Sequence, residues 1–384
     1  MKRTYLDHTA TTPLDPAVLD AMLPFMHETF GNASSVHWFG RQAKTALEQS
    51  REKIASLISA RPGEVFFTSG GTESDNLAVL GAVQAARAGG RAGVVTSAAE
   101  HHAVLDTCAF LQKEGRDVTI MPVDHHGSVH AHQVRAVAGS ATALVTVMHA
   151  NNEVGTINNI AAIADATHAA GALLHTDAVQ SFGKIRVHVE ALGVDLMSLS
   201  AHKIYGPKGI GALFVKRGTA IDPLMKGGGQ ERGTRPGTES VALAVGFARA
   251  AEIAVAGMEQ EMAREQALRD TLAERLTSMF PAILINGDPE HRLPHILNVS
   301  FDSGKMSLEG DMLVMNMDLR GVAVTSGSAC TSGSMQPSHV LLAMGRDERT
   351  AQATLRFAFG RGNTDVDVDH VVDALSGAIG QMTA

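Results

Sequence analysis

The stretch Asp195-Leu-Met-Ser-Leu-Ser-Ala-His-Lys-Ile-Tyr-Gly-Pro-Lys-Gly209 limits this chain's possible folds more than any other. Leu196 to Leu199 read as a short buried strand. The strand runs into Ser200, Ala201, His202 and Lys203, and Gly206-Pro207 then turns the chain. A lysine at the C-terminal end of a core strand is unusual, because lysine is rarely buried without a chemical reason. One such reason is an imine with an aldehyde cofactor, which needs a desolvated amine of lowered pKa. A surface lysine after an edge strand has the same local pattern, and an isolated Ser-x-His-Lys does not separate the two.

The flanking sequence repeats one unit, a short apolar run followed by a polar cluster and then a helical pattern. Val65-Phe66-Phe67 reads as a strand feeding Ser69-Gly-Gly-Thr-Glu-Ser-Asp-Asn76, with a helix from Leu77 onward. Strand, glycine turn and helix start is a geometry in which backbone N–H groups hold a phosphate. Thr72 with Asp75 equally fits a capping box, so this motif alone has two readings. Gly93–Thr96 leads to Glu100-His101-His102, Leu144–Met148 to Asn151-Asn152-Glu153, and Leu173–His175 to Thr176-Asp177-Ala178-Val179-Gln180. Gly211–Val215 follows Lys203 closely enough to close the sheet antiparallel. This alternation predicts an α/β fold with a mostly parallel sheet covered by helices. Ligands of such sheets lie outside the carboxyl ends of the strands, where every one of these polar clusters falls. Their convergence predicts one active site.

At 384 residues the chain has room for two domains. We divide it into a large domain over 15–255 and a smaller α+β domain of 1–14 with 256–384. The helical pattern from Val241 to Phe280 links the two, its Met258 and Met262 being core residues. Later alternation, with strands at Ala282–Asn286, Ile296–Phe301, Val322–Thr325 and Leu355–Phe359, builds the smaller domain. A net charge of −8 argues against nucleic acid as a partner. No apolar stretch approaches the roughly 20 residues of a membrane span, and Met1–Asp7 has no secretory character. Two cysteines, Cys108 and Cys330, without metal-type spacing, point to a reducing cytoplasm and no disulfide framework. Gly227–Thr238 is too glycine-rich for a regular element and is either a solvated linker or a backbone cradle at a site or subunit boundary.

Together Leu6–Pro13, Thr68–Asp75, Glu100-His101, Asn151–Glu153, His175–Gln180, Ser200–Lys203, Gly227–Thr238 and Ser326–Cys330 resemble the cysteine desulfurases of the nitrogen-fixation and iron–sulfur-assembly type, within the aminotransferase class V superfamily. The resemblance implies a fold-type I enzyme dependent on pyridoxal 5'-phosphate. Lys203 would hold that cofactor as a Schiff base and move the substrate's Cα proton. Asp177 would pair with the pyridinium nitrogen, and Gln180 would bond the phenolic oxygen. Gly71, Thr72, Ser200 and His202 would hold the phosphate, with Thr238 supplied by the other subunit of a homodimer. His101 would lie over the ring as proton donor or acceptor, whereas His102 is a surface residue. Asn152 would contact cofactor and substrate, and with Arg356 would fix the carboxylate of L-cysteine.

Cys330 is the residue that names the reaction. Its glycine–serine surroundings offer little core to bury it, and in the resembling family this thiolate takes the substrate sulfur, giving a persulfide and L-alanine. Cys108, midway along a helix, fits a small buried hydrophobe. No resident metal is expected, although Cys330 could serve as a transient iron–sulfur ligand. The sulfur acceptor would be a protein, an iron–sulfur scaffold or a sulfur carrier. A selenocysteine lyase or another class V enzyme is the alternative, sharing the cofactor site but not the sulfur step.

Overall fold

The computed structural model of the chain describes residues 3–327 and 336–383. In chain order its strands are β1 (Thr4–Tyr5), β2 (Val65–Thr68), β3 (Gly93–Ser97), β4 (Val118–Met121), β5 (Thr142–Thr146), β6 (Leu173–Asp177), β7 (Leu196–Ser200), β8 (Gly211–Val215), β9 (Ile283–Asn286), β10 (Ile296–Phe301), β11 (Val322–Ala323) and β12 (Thr354–Ala358). Seven of them form one sheet in the order β2-β8-β7-β6-β5-β3-β4. β8 runs antiparallel to both its neighbours and every other pairing is parallel, so six strands point the same way. The expected parallel sheet with an antiparallel Gly211–Val215 is what forms.

Burial explains why these runs are strands. β2, β5, β7 and β8 are buried at every residue, as required of strands covered on both faces. Successive side chains enter opposite cores. Phe67, Val145, Met197 and Phe214 pack toward the helices Trp38–Leu57 and Val241–Met279. Phe66, Leu144, Leu196 and Leu213 pack toward the helices Gly71–Ala86 and His102–Lys113. Sequence periodicity misses β4, which lies at the sheet edge and buries only Met121.

A second core surrounds the antiparallel sheet β12-β10-β9, with the helices Gly310–Leu319 and Asp365–Thr383. β1 pairs with β11, and Leu6 is buried in this second core, so the start of the N-terminal arm packs there. The helix Val241–Met279 contributes residues up to Ala254 to the first core and Leu268, Leu272 and Leu276 to the second. Its most apolar window has a mean hydropathy of 1.6, which corrects the expectation that no stretch is apolar enough to span a membrane. Here that character serves the interior, with Ala244, Phe247 and Ala251 fully buried.

The capping box expected at Thr72 and Asp75 does not form. The helix begins at Gly71, its N-cap is Gly70, and Asp75 is buried. Glu73 Oε2 instead accepts the Ser69 N–H at 2.7 Å. Gly70 has φ +154°, a backbone region that favours glycine.

Beneath this turn β8 passes with no room to spare. A Cβ on Gly211 would lie 2.4 Å from the Leu199 carbonyl oxygen and 2.8 Å from the Gly70 backbone. Gly211→Ala should therefore destabilise the protein by about 1–3 kcal/mol, by analogy with overpacked cores, read as a lowered Tm. An unchanged Tm would mean that the turn yields freely.

Candidate active site

Five strands deliver the site. β2 leads into Gly71 and Thr72, β3 toward His101, β5 toward Met148 and Asn152, β6 into Asp177, Val179 and Gln180, and β7 into Ser200, His202 and Lys203. These residues, with Asp75, line one cavity of about 260 Å³ at the carboxyl edge of the sheet. Nine of the residues singled out from sequence thus converge there. Gly71 permits the close approach of the opposite wall, since a Cβ on it would meet Val179 Cγ2 at 2.8 Å.

The Lys203 amine donates to the backbone carbonyls of Thr9 and Ala10, the latter at 2.8 Å. Burial lowers its pKa to about 8, the Arg356 charge adds to this, and Asp177 and Asp7 oppose it. A substantial fraction of the amine is therefore uncharged just above neutrality. Gln180 Nε2 donates to the same Thr9 carbonyl at 3.0 Å. The N-terminal arm is held by Thr12, whose N–H and hydroxyl both donate to the His202 carbonyl, at 3.0 and 2.9 Å.

Asp177 accepts the Val179 N–H at 2.8 Å. Burial raises its pKa, while His101, that N–H and Lys203 favour its charged form. Behind it lie two more buried carboxyls. Burial and then Asp177 hold Asp75 well above its usual range, with Ser198 opposing. Burial pushes Glu100 up to about 8, against hydrogen bonds from Ser97 (2.6 Å) and the Met148 N–H (3.0 Å). Burial also lowers His175 to about 3; it is neutral between Thr146 Oγ1 (2.8 Å) and Ser198 Oγ (3.0 Å).

His101 Nδ1 accepts the Ala103 N–H at 3.0 Å and caps the helix His102–Lys113. Burial lowers its pKa, as do the Lys203 and His102 charges, against the pull of Asp177 and Asp106. The neutral ring therefore carries its proton on Nε2. Burial brings His202 down to about 4, assisted by Lys203 and Lys208. His102 is exposed and lies 3.3 Å from Asp106, a surface residue as expected.

Arg356 does not line the cavity but abuts it, donating to the Asn152 carbonyl at 2.9 Å and to Asp7 at 2.8 Å. Thr238 lies elsewhere in this chain, lining a separate cavity of about 210 Å³ together with Thr68 and Ser69. Cys330 lies outside the described residues. The two ends of its segment both reach Glu153, since Ser338 Oγ donates to Oε2 at 2.5 Å and a Cβ on Gly327 would lie 2.7 Å from that oxygen. Burial raises Glu153 to about 7, with Ser338 and Arg356 opposing. Cys108 is buried and its thiol is pushed up to about 12, chiefly by that burial, which makes it inert.

Sequence reasoning missed Asp75, Met148, Val179 and the Thr9 and Ala10 carbonyls. Asp75 left a signal, because it extends the buried stripe Val79 and Ala82 of its helix at helical spacing. The carbonyls left none, since backbone acceptors have no side-chain signature.

These groups fit pyridoxal 5'-phosphate. An amine of lowered pKa suits its aldehyde, a buried carboxylate suits its ring nitrogen, and a glycine turn at a helix start suits its phosphate. Ser200 Oγ is buried without a hydrogen-bond partner among the described residues, as a group awaiting such a ligand would be.

Comparison with known proteins agrees. The family model for aminotransferase class V matches residues 4–371. A cysteine desulfurase IscS of Dictyoglomus turgidum is 45% identical over 376 residues, covering 98% of this chain and 94% of that one. A solved structure of a NifS-like protein superposes with a TM-score of 0.91 at 36% identity, covering 99% of this chain and all of the other. A structure described as SspA in complex with cysteine gives 0.80 at 35%, covering 92% and 98%. The chain belongs to the aminotransferase class V family and, within it, to the pyridoxal-phosphate-dependent cysteine desulfurases.

Proposed function

We propose that this cavity removes sulfur from L-cysteine, with Lys203, Asp177, His101 and Cys330 dividing the work. The observation that carries the assignment is the single cavity in which Lys203, Asp177, His101, Gln180 and the Gly71–Thr72 turn meet. When bound, pyridoxal 5'-phosphate supplies an electron sink conjugated to the substrate's Cα. Asp177, whose charged form His101, the Val179 N–H and Lys203 favour against burial, would pair with a protonated ring nitrogen. Gln180 orients the phenolic oxygen, and Gly71, Thr72, Ser200 and His202 bind the phosphate. Lys203 Nζ, pre-placed by the Thr9 and Ala10 carbonyls, moves the Cα proton. His101 Nε2 would hold or donate a proton within the same cavity. Arg356 and Asn152 orient the substrate carboxylate, the arginine through its Nε, which has no hydrogen-bond partner among the described residues.

Cys330 takes the substrate sulfur as a persulfide and alanine is the other product. A protein acceptor, an iron–sulfur scaffold or a sulfur carrier, then receives the sulfur. A homodimer completes the site, with Thr238 of the second copy facing the phosphate. Two observations support this: Thr238 is outside the Lys203 cavity of its own chain, and Phe30, Val36, Trp38 and Phe39 form an exposed apolar patch. We place the protein in the cytoplasm, and we propose 15–255, and 1–14 with 256–384, as its two domains.

The lowered Lys203 pKa sets a pH dependence. The protonated amine is not a nucleophile, so capture of the cofactor by the apoprotein should slow about tenfold per pH unit below about 8 and level off above it. Stopped-flow absorbance measures this, and a flat profile from acid to alkaline pH would exclude Lys203 as the capturing group. Cys330→Ser should retain the cofactor's visible absorbance and its response to L-cysteine but form no persulfide, because a hydroxyl is a far poorer nucleophile than a thiolate. Mass spectrometry of the parent after L-cysteine should add one sulfur to the Cys330 peptide; sulfur on Cys108 would refute the assignment. Sedimentation should give a dimer that Phe39→Asp weakens, and a fully active parent monomer would count against the shared site.

A further inference from the structure

The helix Gly71–Ala86 starts at the turn assigned to the phosphate, and its first turn carries an acid. Glu73 Oε2 accepts the Ser69 N–H at 2.7 Å, and the same carboxylate accepts Arg235 Nε at 2.8 Å and Nη2 at 3.2 Å. Both side chains are largely shielded, at 20% and 24% exposure. A carboxylate here suits the positive end of the helix and satisfies the N–H of Ser69, the residue before the N-cap Gly70. It also puts negative charge in the turn that has to receive a phosphate, and in a partly desolvated site two anions repel far more than in water.

Arg235 reaches this turn from the glycine-rich segment 227–238, whose path is tightly built. Glu231 accepts Arg51 Nη1 and Nη2 at 2.7 Å each, and its Oε2 also accepts the Phe67 N–H of β2 at 2.9 Å. Glu231 and Arg232 hold φ values of +44° and +56°, a conformation residues with a Cβ adopt only when their surroundings enforce it. Arg232 donates to the Gly63 carbonyl at 2.7 Å. The segment is therefore clamped to the edge strand that feeds the phosphate turn, and Arg235 and Ser69 line the same small cavity.

We propose that Arg235 is a positioning residue for the cofactor's phosphate. Its guanidinium neutralises Glu73, which lets Glu73 fix the Ser69 N–H without repelling an anion at Gly71 and Thr72. The proposal rests on the reading of that turn as the phosphate site. It makes segment 227–238 a support for cofactor retention in its own chain, distinct from the role of Thr238 toward a second copy. It also has a sign that a purely architectural ion pair lacks. Loss of Arg235 leaves a bare carboxylate beside the phosphate, whereas loss of the Glu73 charge does not.

The test uses full-length apoprotein titrated with pyridoxal 5'-phosphate and, separately, with pyridoxal, following visible absorbance. Arg235→Ala should raise the Kd for pyridoxal 5'-phosphate about tenfold, the scale of one lost interaction with a charged group, and leave pyridoxal nearly unchanged. Glu73→Gln, which keeps an acceptor for Ser69, should bind at least as tightly as the parent, and the double variant should return to within about threefold of it. Arg235→Lys, which keeps the charge without the fork, should lose little and shows that the position tolerates substitution. Inorganic phosphate should raise the parent's Tm and raise that of Arg235→Ala less. Equal weakening toward pyridoxal and its phosphate, or no recovery in the double variant, would overturn the proposal and leave the pair a structural brace. A parent that bound both compounds equally well would overturn the phosphate reading of the turn, and with it the basis of this role.

Discussion

An ammonium group carried out of water at the end of a core strand must either find acceptors or yield its proton more easily, and Lys203 does both, its pKa lowered to about 8. Its acceptors are two backbone carbonyls of the N-terminal arm, at Thr9 and Ala10. The arm in turn is pinned to β7's end through Thr12 and His202, and to the second core through Leu6 and β1. The amine thus depends on both cores of the molecule. Arg356, from β12 of the second core, touches Asn152 and Asp7 and adds the positive charge that helps lower the Lys203 pKa.

The negative side of the site is arranged by the same reasoning. Asp75, Asp177 and Glu100 are all buried close to one another, and a low-dielectric layer does not hold three carboxylates together. His101, the Val179 N–H and Lys203 favour the charged form of Asp177 against its burial. Burial raises the pKa of all three, and it is at Asp177, the carboxyl the cofactor's ring nitrogen would need, that His101 and Lys203 oppose it. Neutral His175 completes the floor without adding a competing cation.

Much of this was legible in the amino-acid sequence. Strands covered on both faces must be apolar throughout, which made β2, β5, β7 and β8 visible as short runs with polar residues at their ends. Parallel strands then force those ends onto one edge, so the convergence of His101, Asp177, Gln180 and Lys203 followed from alternation alone. β4 escaped because, unlike the other edge strand β2, it is covered so little that only Met121 is buried. The Thr72–Asp75 spacing left two readings open because it serves a cap and a buried acid alike, and the packing of Asp75 against His175, 3.6 Å away, distinguishes them. The Val241–Met279 helix was read for its linking role, but its apolar first half was undervalued as a core element.

By itself, then, the sequence determined the fold class, the edge of the sheet on which chemistry occurs, and the residue types gathered there, since these follow from local periodicity and strand direction. Tertiary structure alone decided the charge states. Whether Lys203, Asp177 or Asp75 is charged depends on burial and on partners distant in sequence, such as His101, Arg356 and Thr9, the last 194 positions from Lys203. The Arg235–Glu73 and Arg51–Glu231 contacts belong to the same class, joining residues 162 and 180 positions apart in sequence. Desolvation is a property of the packed interior, and no local pattern of residues records it.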